Sequence, residues 1–308
     1  MRLGIAGCGR IVERGYVPAA LAAGGVTIGG FADPDTTRLR QCQELWRNGG
    51  GAEAIAVPSV AELLAAPLDL LVVAVPAAHH LALAEEAAAA GVPSLVEKPP
   101  APDLAEAERL AALDPTPFLA FNRRFLQGPE LRDEIPPEGW LELDLELRFR
   151  RDAWSAHESR DEALLDAGIH LVDLACHLSG ADPIAVREAE IAPERATLEL
   201  ELSRARARIS CATDRSHREV ISIRDRSGRT VARTTWGGIG ARLSPLLGRP
   251  DPLVQSLQRQ LEAVRTSDGN LATARDGATA MAVAEAARRS ADLNGAEVTV
   301  APLAGAAP

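Results

Sequence analysis

The spacing of apolar residues changes near residue 125 and divides the chain into two parts. Before that point, short continuous apolar segments alternate with segments whose apolar residues recur at helical spacing. The continuous segments predict strands at residues 3–7, 26–32, 68–76, 92–100 and 117–124, with helices between them. Strands without a polar face are typical of a parallel sheet that helices cover on both sides. The first part is therefore predicted to be an α/β domain.

After residue 125, apolar and charged residues alternate. Residues 140–150 place leucine and phenylalanine on one face of a strand and charged side chains on the other. Residues 220–234 predict a hairpin that turns at Ser227 and Gly228. The second part is predicted to be an α+β domain on an open, largely antiparallel sheet. Its predicted helices span residues 164–178, 253–265 and 274–292, and the predicted boundaries are 1–122 and 123–300, with a frayed tail at 301–308.

One hairpin in the second part carries a more specific signal. A turn at residues 203–204 places Glu201 opposite Arg206. The same register places Glu199 opposite Arg208 and pairs apolar residues on the other face. Because both faces match at once, we interpret the arginine row as a neutralised sheet face rather than as an anion site.

Composition narrows the possible partners. The 308 residues are 46% hydrophobic and carry a formal net charge of -10, which repels nucleic acid and anionic membrane surfaces. No apolar run is long enough to span a membrane, and the N-terminus lacks the apolar core of a signal peptide, so we expect a cytoplasmic protein. The four cysteines are scattered without metal-ligand spacing, which favours free thiols and no structural metal.

Lysine is nearly absent from the chain. Of 33 basic residues only Lys98 is a lysine, and it ends a predicted strand in the segment Glu97-Lys98-Pro99-Pro100. A lysine amine can lose its proton near neutral pH when it is desolvated, whereas arginine stays a cation. A chemical role that needs a titratable amine would explain why this lysine was kept. Chance is the alternative.

Four ionisable side chains interrupt the apolar segment 164–178. On an α-helix, Asp166, His170, Asp173 and His177 fall within about 60° of arc. In one interpretation this stripe meets water, with weak Asp–His pairs at i, i+4. In the other, the helix is buried and the stripe faces a cleft, where a carboxylate and an imidazole move a proton.

A glycine turn separates the first predicted strand from the first predicted helix. It consists of Gly7, Cys8 and Gly9, and the helix begins with Arg10 and Ile11. Glycines there let the backbone approach a dinucleotide pyrophosphate, and the helix amides and dipole hold the anion. Cys8 is interpreted as a small residue that fits the turn rather than as an activated thiol.

Two further positions bear on the dinucleotide. Val12 occupies the third small-residue position of the G-x-G-x-x-G pattern, where its size affects helix packing more than phosphate contact. Asp33 follows Gly7 by 26 residues at the end of the second strand, where a carboxylate binds a ribose diol and repels a 2′-phosphate. The pattern favours NAD over NADP. The alternative is a tight structural turn and an ordinary loop aspartate.

Other polar residues end the later strands. Pro76 and His80 follow the third long apolar segment, and Glu97 and Lys98 end the next one. The carboxyl ends of parallel strands share one edge, and open α/β sheets bind their ligands there. Pro76 and His80 are therefore predicted to contact a cofactor, although His80 could equally cap or pack. Lys98 is expected in the same crevice.

These motifs, taken in order, resemble the glucose-fructose oxidoreductase, inositol dehydrogenase and rhizopine catabolism (Gfo/Idh/MocA) family. The resemblance covers nearly the whole chain and rests on the glycine turn, Asp33, residues 76–80, Glu97-Lys98-Pro99, residues 121–125, Asp166 with His170 and Asp173, and the final helix before residues 294–300. It implies a doubly wound Rossmann domain followed by an α+β domain whose open sheet commonly forms an oligomer interface. It also implies a homodimer or homotetramer that acts on sugars, cyclitols or related polyols.

The resemblance assigns roles to single residues. Lys98 resembles the family's active-site lysine, with a cis Lys98–Pro99 peptide bond, and Asp166 and His170 resemble its catalytic pair. Arg124 resembles an arginine beside the cleft, although a salt bridge between the domains is as plausible. The predicted cofactor contacts are Gly7, Cys8, Gly9, Arg10, Ile11, Asp33, Pro76, His80, Glu97 and Lys98. The predicted substrate contacts are Lys98, Arg124, Trp154, Asp166 and His170.

The predicted reaction is hydride transfer between a nicotinamide and a secondary carbinol or ketone of a sugar, cyclitol or nucleotide-linked sugar. In oxidation, His170 takes the hydroxyl proton, Asp166 holds the imidazole or a substrate hydroxyl, and cationic Lys98 stabilises the developing alkoxide. Two alternatives stand beside this one. They are a redox-neutral sugar-modifying enzyme with tightly bound NAD, and a non-catalytic nicotinamide-binding protein.

Overall fold

The computed structural model describes residues 1–126, 128–151, 161–237 and 251–304, with the backbone alone at 128–130. By its internal contacts the chain divides into two compact units. One comprises Met1–Leu126 and Pro250–Ala278, and the other comprises Gln127–Arg249 and Thr279–Pro308.

The first unit is built on a seven-stranded sheet. Its strands are β1 (Arg2–Ala6), β2 (Thr27–Ala32), β3 (Ile55–Val57), β4 (Leu70–Val73), β5 (Ser94–Val96), β6 (Phe118–Leu119) and β13 (Ala272–Thr273). They lie in the order β13-β6-β5-β4-β1-β2-β3, and all neighbours are parallel except β13 and β6. The chain leaves β1 through β2 and β3 and returns to the other side of β1 at β4, so the strand order reverses there. The predicted doubly wound parallel sheet is confirmed.

Helices connect these strands. They are α1 (Val17–Ala22), α2 (Thr36–Asn48), α3 (Val60–Leu64), α4 (His80–Ala89), α5 (Leu104–Ala111) and α8 (Pro252–Thr266). A π-helical turn, Val12–Tyr16, precedes α1, and 3₁₀ turns lie at Ala77–His79 and Asn122–Phe125. The side chains of Asp35, Ser59 and Asp103 accept hydrogen bonds from amides in the first turns of α2, α3 and α5. These caps explain where the three helices begin.

The domain boundaries predicted from the sequence differ from these units at α8. This helix lies in the segment assigned to the second domain, yet it belongs to the first unit. Leu257 and Leu261 of α8 are buried in one hydrophobic cluster with Val12 and Tyr16. The physical reason is that α8 completes the core of the first unit, and position along the chain does not decide which core a helix completes.

The second unit is also built on a seven-stranded sheet. Its strands are β7 (Leu141–Arg150), β8 (Pro183–Ala192), β9 (Arg195–Leu202), β10 (Ala205–Ala212), β11 (Asp214–Asp225), β12 (Thr230–Gly237) and β14 (Val298–Thr299). They lie in the order β12-β11-β7-β10-β9-β8-β14, and all neighbours are antiparallel except β7 and β10. The predicted largely antiparallel sheet is confirmed.

The β9–β10 hairpin has the predicted register, with Glu201 opposite Arg206 and Glu199 opposite Arg208. Glu199 lies 2.8 Å from Arg187, 3.2 Å from Arg206 and 3.6 Å from Arg208. Arg187 in turn meets two more carboxylates, of Glu201 and Glu297. Cations and carboxylates therefore balance in this cluster, in agreement with a neutralised sheet face.

The second unit carries the helices α6 (Gly128–Glu134), α7 (Ile169–Ser179) and most of α9 (Ala274–Asp292). A single α-helix over residues 164–178 was predicted, and this is corrected by a π-helical turn at Leu164–Gly168. The N–H of Ile169 donates to the carbonyl of Leu164, five residues earlier. Because a π turn holds more residues than an α turn, Asp166 does not lie on the arc calculated for an ideal α-helix.

Within the described ranges, no helix is long and apolar enough to cross a bilayer. In the same ranges, no group of three or more His, Cys, Asp and Glu side chains is arranged to hold a metal ion.

Candidate active site

The two glycines of the glycine turn have different surroundings. Gly7 has a φ of +90°, and a Cβ there would lie 2.4 Å from the carbonyl oxygen of Ala74. Gly9 has no atom within 4 Å of the place that a Cβ would occupy. The turn itself therefore requires the first glycine, whereas the second leaves open space beside the amides that begin the helix.

The helix after the turn packs closely on its neighbour. Val12 is fully buried in the core, as expected for a residue that affects packing. The N–H of Val17 donates to the carbonyl of Val12, which makes the first turn π-helical. A Cβ on Gly15 would lie 2.6 Å from Cδ1 of Leu257, so the close approach to α8 takes place at Gly15.

The carboxylate of Asp33 is tied to the glycine turn. Its Oδ2 accepts a 2.7 Å hydrogen bond from the N–H of Cys8, and its Oδ1 accepts one of 2.8 Å from the N–H of Asp35. Each carboxylate oxygen retains a lone pair after these bonds. Asp33 thus supports the turn and still has acceptor capacity at the end of β2.

Cys8 is a buried thiol beside Cys42. The hydrogen bond between the two thiols and the burial of Cys8 raise its pKa far above the ordinary value. The thiol is therefore protonated at neutral pH. This agrees with the interpretation of Cys8 as a small residue that fits the turn.

His80 is almost fully buried at the start of α4. Its Nδ1 lies 3.2 Å from the carbonyl of Pro100, and its Nε2 lies 2.8 Å from the carbonyl of Val75. Burial lowers the pKa of the ring, and a neutral imidazole has one N–H to donate. Both ring nitrogens face the unit's own backbone, which favours the packing alternative over cofactor contact. Pro76 is exposed just before the 3₁₀ turn.

Glu97 is buried at the end of β5 and binds two donors. Its Oε1 accepts a 2.8 Å hydrogen bond from the hydroxyl of Tyr16, and its Oε2 accepts one of 3.1 Å from the N–H of Lys98. Burial raises the pKa of Glu97, and the hydrogen bond from Tyr16 and the charge of Lys98 oppose that rise. Lys98 is half-buried, and its peptide bond to Pro99 is cis, as the family resemblance implies.

Several predicted residues of the first unit share the carboxyl edge of its parallel strands. Gly7 follows β1, Asp33 follows β2, Pro76 lies just beyond β4 and Glu97 follows β5. The edge also contains the β1–β4 position where the strand order reverses, which is the usual ligand site of such sheets.

Arg124 forms an ion pair inside the first unit. Its Nη2 lies 3.1 Å from Oδ1 of Asp276, and Oδ2 of the same carboxylate accepts a hydrogen bond from the N–H of Thr273. Burial alone would raise the pKa of Asp276, but the charge of Arg124 and the bonds from Thr273 lower it. Arg124 and Asp276 belong to the same unit, so this pair is not the salt bridge between domains that the sequence also allowed. Whether Arg124 grips a substrate stays a prediction.

In the second unit, Asp166 is held by Arg151 at the end of β7. Nε of Arg151 donates a 2.8 Å hydrogen bond to Oδ2 of Asp166, and the Nη2 of Arg151 pairs with the same oxygen. The Nη1 of Arg151 donates to the carbonyl of Asp161 at 2.7 Å. Asp166 therefore lies in an ion pair with Arg151, and its partnership with His170 stays a prediction.

The neighbouring residues of this segment are mostly buried. His170 and Asp173 are buried, and Asp166 and His177 are half-buried. Glu162, just before the π-helical turn, pairs with Arg288 at 2.6 Å. Trp154, the remaining predicted substrate contact, lies outside the described residues.

Known proteins resemble this chain at the level of sequence. Residues 1–115 match the family described as an oxidoreductase family with an NAD-binding Rossmann fold. A protein of Salmonella typhimurium named as an oxidoreductase, YceM, is 33% identical over 189 residues, which are 59% of this chain and 57% of YceM. Inositol 2-dehydrogenase of Leifsonia xyli is 30% identical over 207 residues, 63% of this chain and 60% of that protein. This chain thus spans less than two thirds of either relative.

Residues 1–115 therefore resemble the NAD-binding Rossmann domain of the Gfo/Idh/MocA oxidoreductases. The fold agrees over both units. A solved myo-inositol dehydrogenase from Corynebacterium glutamicum superposes with a TM-score of 0.76 over 98% of this chain and 99% of that one, at 20% identity. The chain therefore has the fold of that dehydrogenase along nearly its whole length.

A nicotinamide dinucleotide fits the residues of the first unit. Gly9 leaves space beside the first-turn amides, and Asp33 has acceptor capacity at the end of β2. The prediction of an NAD-binding domain is confirmed by the family match. The preference for NAD over NADP stays a prediction.

The sequence patterns missed Tyr16, Arg151 and Gly15. Tyr16 binds Glu97, Arg151 binds Asp166, and Gly15 lies against Leu257. Tyr16 is the only tyrosine of the chain, a signal of the same kind as the single Lys98. Arg151 lies in a run with Arg148 and Arg150, and nothing in the pattern distinguishes it.

Proposed function

We propose that the chain is an NAD-dependent oxidoreductase that oxidises a secondary carbinol, or reduces the matching ketone, in a sugar, cyclitol or nucleotide-linked sugar. The observation that carries the proposal is the carboxyl edge of the Rossmann sheet, with the open face at Gly9, Asp33 after β2 and Lys98 after β5. Relatives named for inositol support a polyol as substrate.

The cofactor would be held by the first unit. Gly9 and the amides of Arg10 and Ile11 would bind the pyrophosphate, because first-turn amides lack intrahelical partners and the helix dipole favours an anion. Asp33 would accept hydrogen bonds from the ribose diol through the lone pairs that its two backbone bonds leave. When bound, NAD supplies the acceptor or the donor of the hydride.

The chain's own residues move the proton and stabilise charge. In oxidation, His170 takes the proton of the substrate hydroxyl, and the Lys98 ammonium stabilises the alkoxide oxygen. Arg151 fixes the carboxylate of Asp166, so Asp166 orients a substrate hydroxyl or the imidazole rather than exchanging protons. In reduction, His170 returns the proton.

The test is a panel of inositols, free sugars, amino sugars and nucleotide-linked sugars incubated with NAD or NADP, with NADH absorbance as the readout. We expect NADH formation with at least one polyol and a preference for NAD. Cofactor retained through purification with no net NADH from any substrate would instead support the redox-neutral alternative. Absence of both bound cofactor and turnover would refute the proposal.

The proposal includes assembly as a homo-oligomer in the cytoplasm. The four cysteines are free, which suits a reducing compartment. Closed symmetry is the usual state of soluble oligomers, so a dimer or tetramer is expected. Sedimentation velocity measures this directly, and a monomer at every concentration would contradict it.

A further inference from the structure

The hydroxyl of Tyr16 is a polar group in the core of the first unit. Tyr16 is fully buried, and its hydroxyl lies 2.8 Å from Oε1 of Glu97, which is 81 residues away in the sequence. A buried hydroxyl costs free energy unless it has a partner, whereas phenylalanine would fill the same space without needing one. The hydroxyl of Tyr16 is therefore explained by its hydrogen bond to Glu97, and the contacts of Glu97 show what that bond positions.

Glu97 connects Tyr16 to the backbone of Lys98 by a second hydrogen bond. Its second oxygen, Oε2, accepts the N–H of Lys98 at 3.1 Å, and the N–H of Glu97 donates to the carbonyl of Val73 at 3.0 Å. The phenol of Tyr16, the carboxylate of Glu97 and the backbone of Lys98 form a continuous chain of hydrogen bonds. Burial raises the pKa of Tyr16, so its hydroxyl stays protonated and acts as the donor.

Tyr16 also belongs to the helix that follows the glycine turn. The π-helical turn Val12–Tyr16 begins three residues after Gly9, and it is anchored by hydrogen bonds from Val12 and Glu13 to the carbonyl of Gly9. A displacement of the turn therefore reaches Tyr16 through one helical segment. Single π turns inside helices often lie at functional sites.

The geometry points to Tyr16 as a positioning residue that couples occupancy of the glycine turn to the placement of Lys98, through Glu97. This inference rests on the proposed function, since it assigns Lys98 to catalysis and the glycine turn to the dinucleotide. Tyr16 touches neither substrate nor cofactor in this role.

The first test compares Tyr16→Phe with wild type. We expect kcat to fall about tenfold to a hundredfold, because a reacting group displaced by a fraction of an ångström loses much of its effect, while the substrate KM and the NADH Kd stay within about threefold. Glu97→Gln should cause a similar fall, since glutamine has one acceptor oxygen where Glu97 has two, so either the N–H of Lys98 or the hydroxyl of Tyr16 loses its acceptor. An unchanged kcat in Tyr16→Phe would overturn the inference.

Ser290→Ala is the matched control. It also deletes a buried hydroxyl with one acceptor, the carbonyl of Ala296 at 2.7 Å, but in the second unit. It should lower the melting temperature without changing kcat. An equal loss of kcat in this variant would show that a general loss of stability explains Tyr16→Phe.

The second test needs no turnover. Because the chain has one tyrosine, ring-labelled tyrosine gives a single NMR signal from Tyr16. We expect this signal to move when NADH saturates the protein, with saturation followed by NADH fluorescence, and to move less in Glu97→Gln. A signal that stays in place at saturation overturns the coupling and leaves the proposed function intact. Failure of the wild type to bind NADH overturns both.

Discussion

At the scale of single residues, two of the buried or half-buried carboxylates are held by neighbours that the sequence patterns did not single out. Tyr16 binds Glu97 in the first unit, and Arg151 binds Asp166 in the second. A buried carboxylate is costly unless it is hydrogen-bonded or paired, so these neighbours are what allow the acids to stay in place. Glu97 directly precedes Lys98 in the sequence, and Asp166 lies four residues before His170, the two residues that are proposed to perform the chemistry.

Lys98→Met should remove the proposed alkoxide stabiliser. We expect turnover to fall roughly 10²- to 10⁴-fold while NADH affinity stays near the wild-type value, and a similar fall in His170→Ala. Steady-state kinetics and NADH fluorescence titration measure the two quantities. Lys98→Arg is the matched control, because it keeps a fixed cation but cannot titrate. Undiminished turnover in both Lys98→Met and His170→Ala would refute the assignment.

Arg151→Met should release Asp166 from its ion pair. Methionine occupies part of the space of the arginine alkyl chain but leaves the half-buried carboxylate without its guanidinium. We therefore expect turnover to fall at least tenfold and the free energy of unfolding to fall by ~1 to 3 kcal/mol. Kinetics and denaturant unfolding check the two effects. Arg208→Met is the control, since that side chain is 68% exposed and its loss should change neither quantity much. Wild-type turnover in Arg151→Met would contradict the role given to this pair.

At the scale of elements, the hairpin register was predictable and some other features were not. The β9–β10 register follows from the sequence because a shift of one residue would expose every leucine and bury every charge. β8 was missed because its register shifts between Arg187 and Glu190, where Glu188 has a φ of 52°, and the bulge breaks the alternation. The two π turns were not predicted, because a calculation at 3.6 residues per turn does not detect a wider turn.

Gly15→Val tests the close approach of the first helix to α8. A Cβ at Gly15 would lie 2.6 Å from Cδ1 of Leu257, so the larger side chain should overpack the core and lower stability by ~1 to 3 kcal/mol. Denaturant unfolding gives the value. Gly24→Val is the control, because no atom lies within 4 Å of its Cβ position. Leu257→Ala should partly rescue Gly15→Val, and the absence of any coupling between the two would contradict this contact.

At the scale of the whole molecule, the order of elements predicted the two sheets but not the full division into units. α8 follows the second sheet in the sequence, yet Leu257 and Leu261 complete the first unit's core. The parallel pairing of β7 with β10 was likewise not predicted, since alternation shows which residues share a face but not which strands become neighbours. The charged cluster around Glu199 shows that the second sheet balances its outer charges locally.

Cofactor binding should stabilise the folded chain by mass action. NADH at about one hundred times its Kd contributes roughly 2.7 kcal/mol, which corresponds to a rise in Tm of roughly 5 to 10 °C for a domain of this size. NADPH should give a smaller rise because Asp33 repels its 2′-phosphate. Thermal unfolding with each cofactor measures this, and Asp33→Asn should narrow the difference. An equal or larger rise with NADPH in the wild type would overturn the predicted preference.

The sequence by itself determined which residues face a core in the elements of regular period, where the glycine turn lies and which chemical groups end the parallel strands. These properties are local. The period of burial within one element and the positive φ of Gly7 depend on residues that are close in the sequence. Only the tertiary structure decided that Tyr16 meets Glu97, that Arg151 meets Asp166 and that α8 completes the first unit. Such pairings depend on how distant segments pack, and periodicity along the chain contains no information about distance between elements.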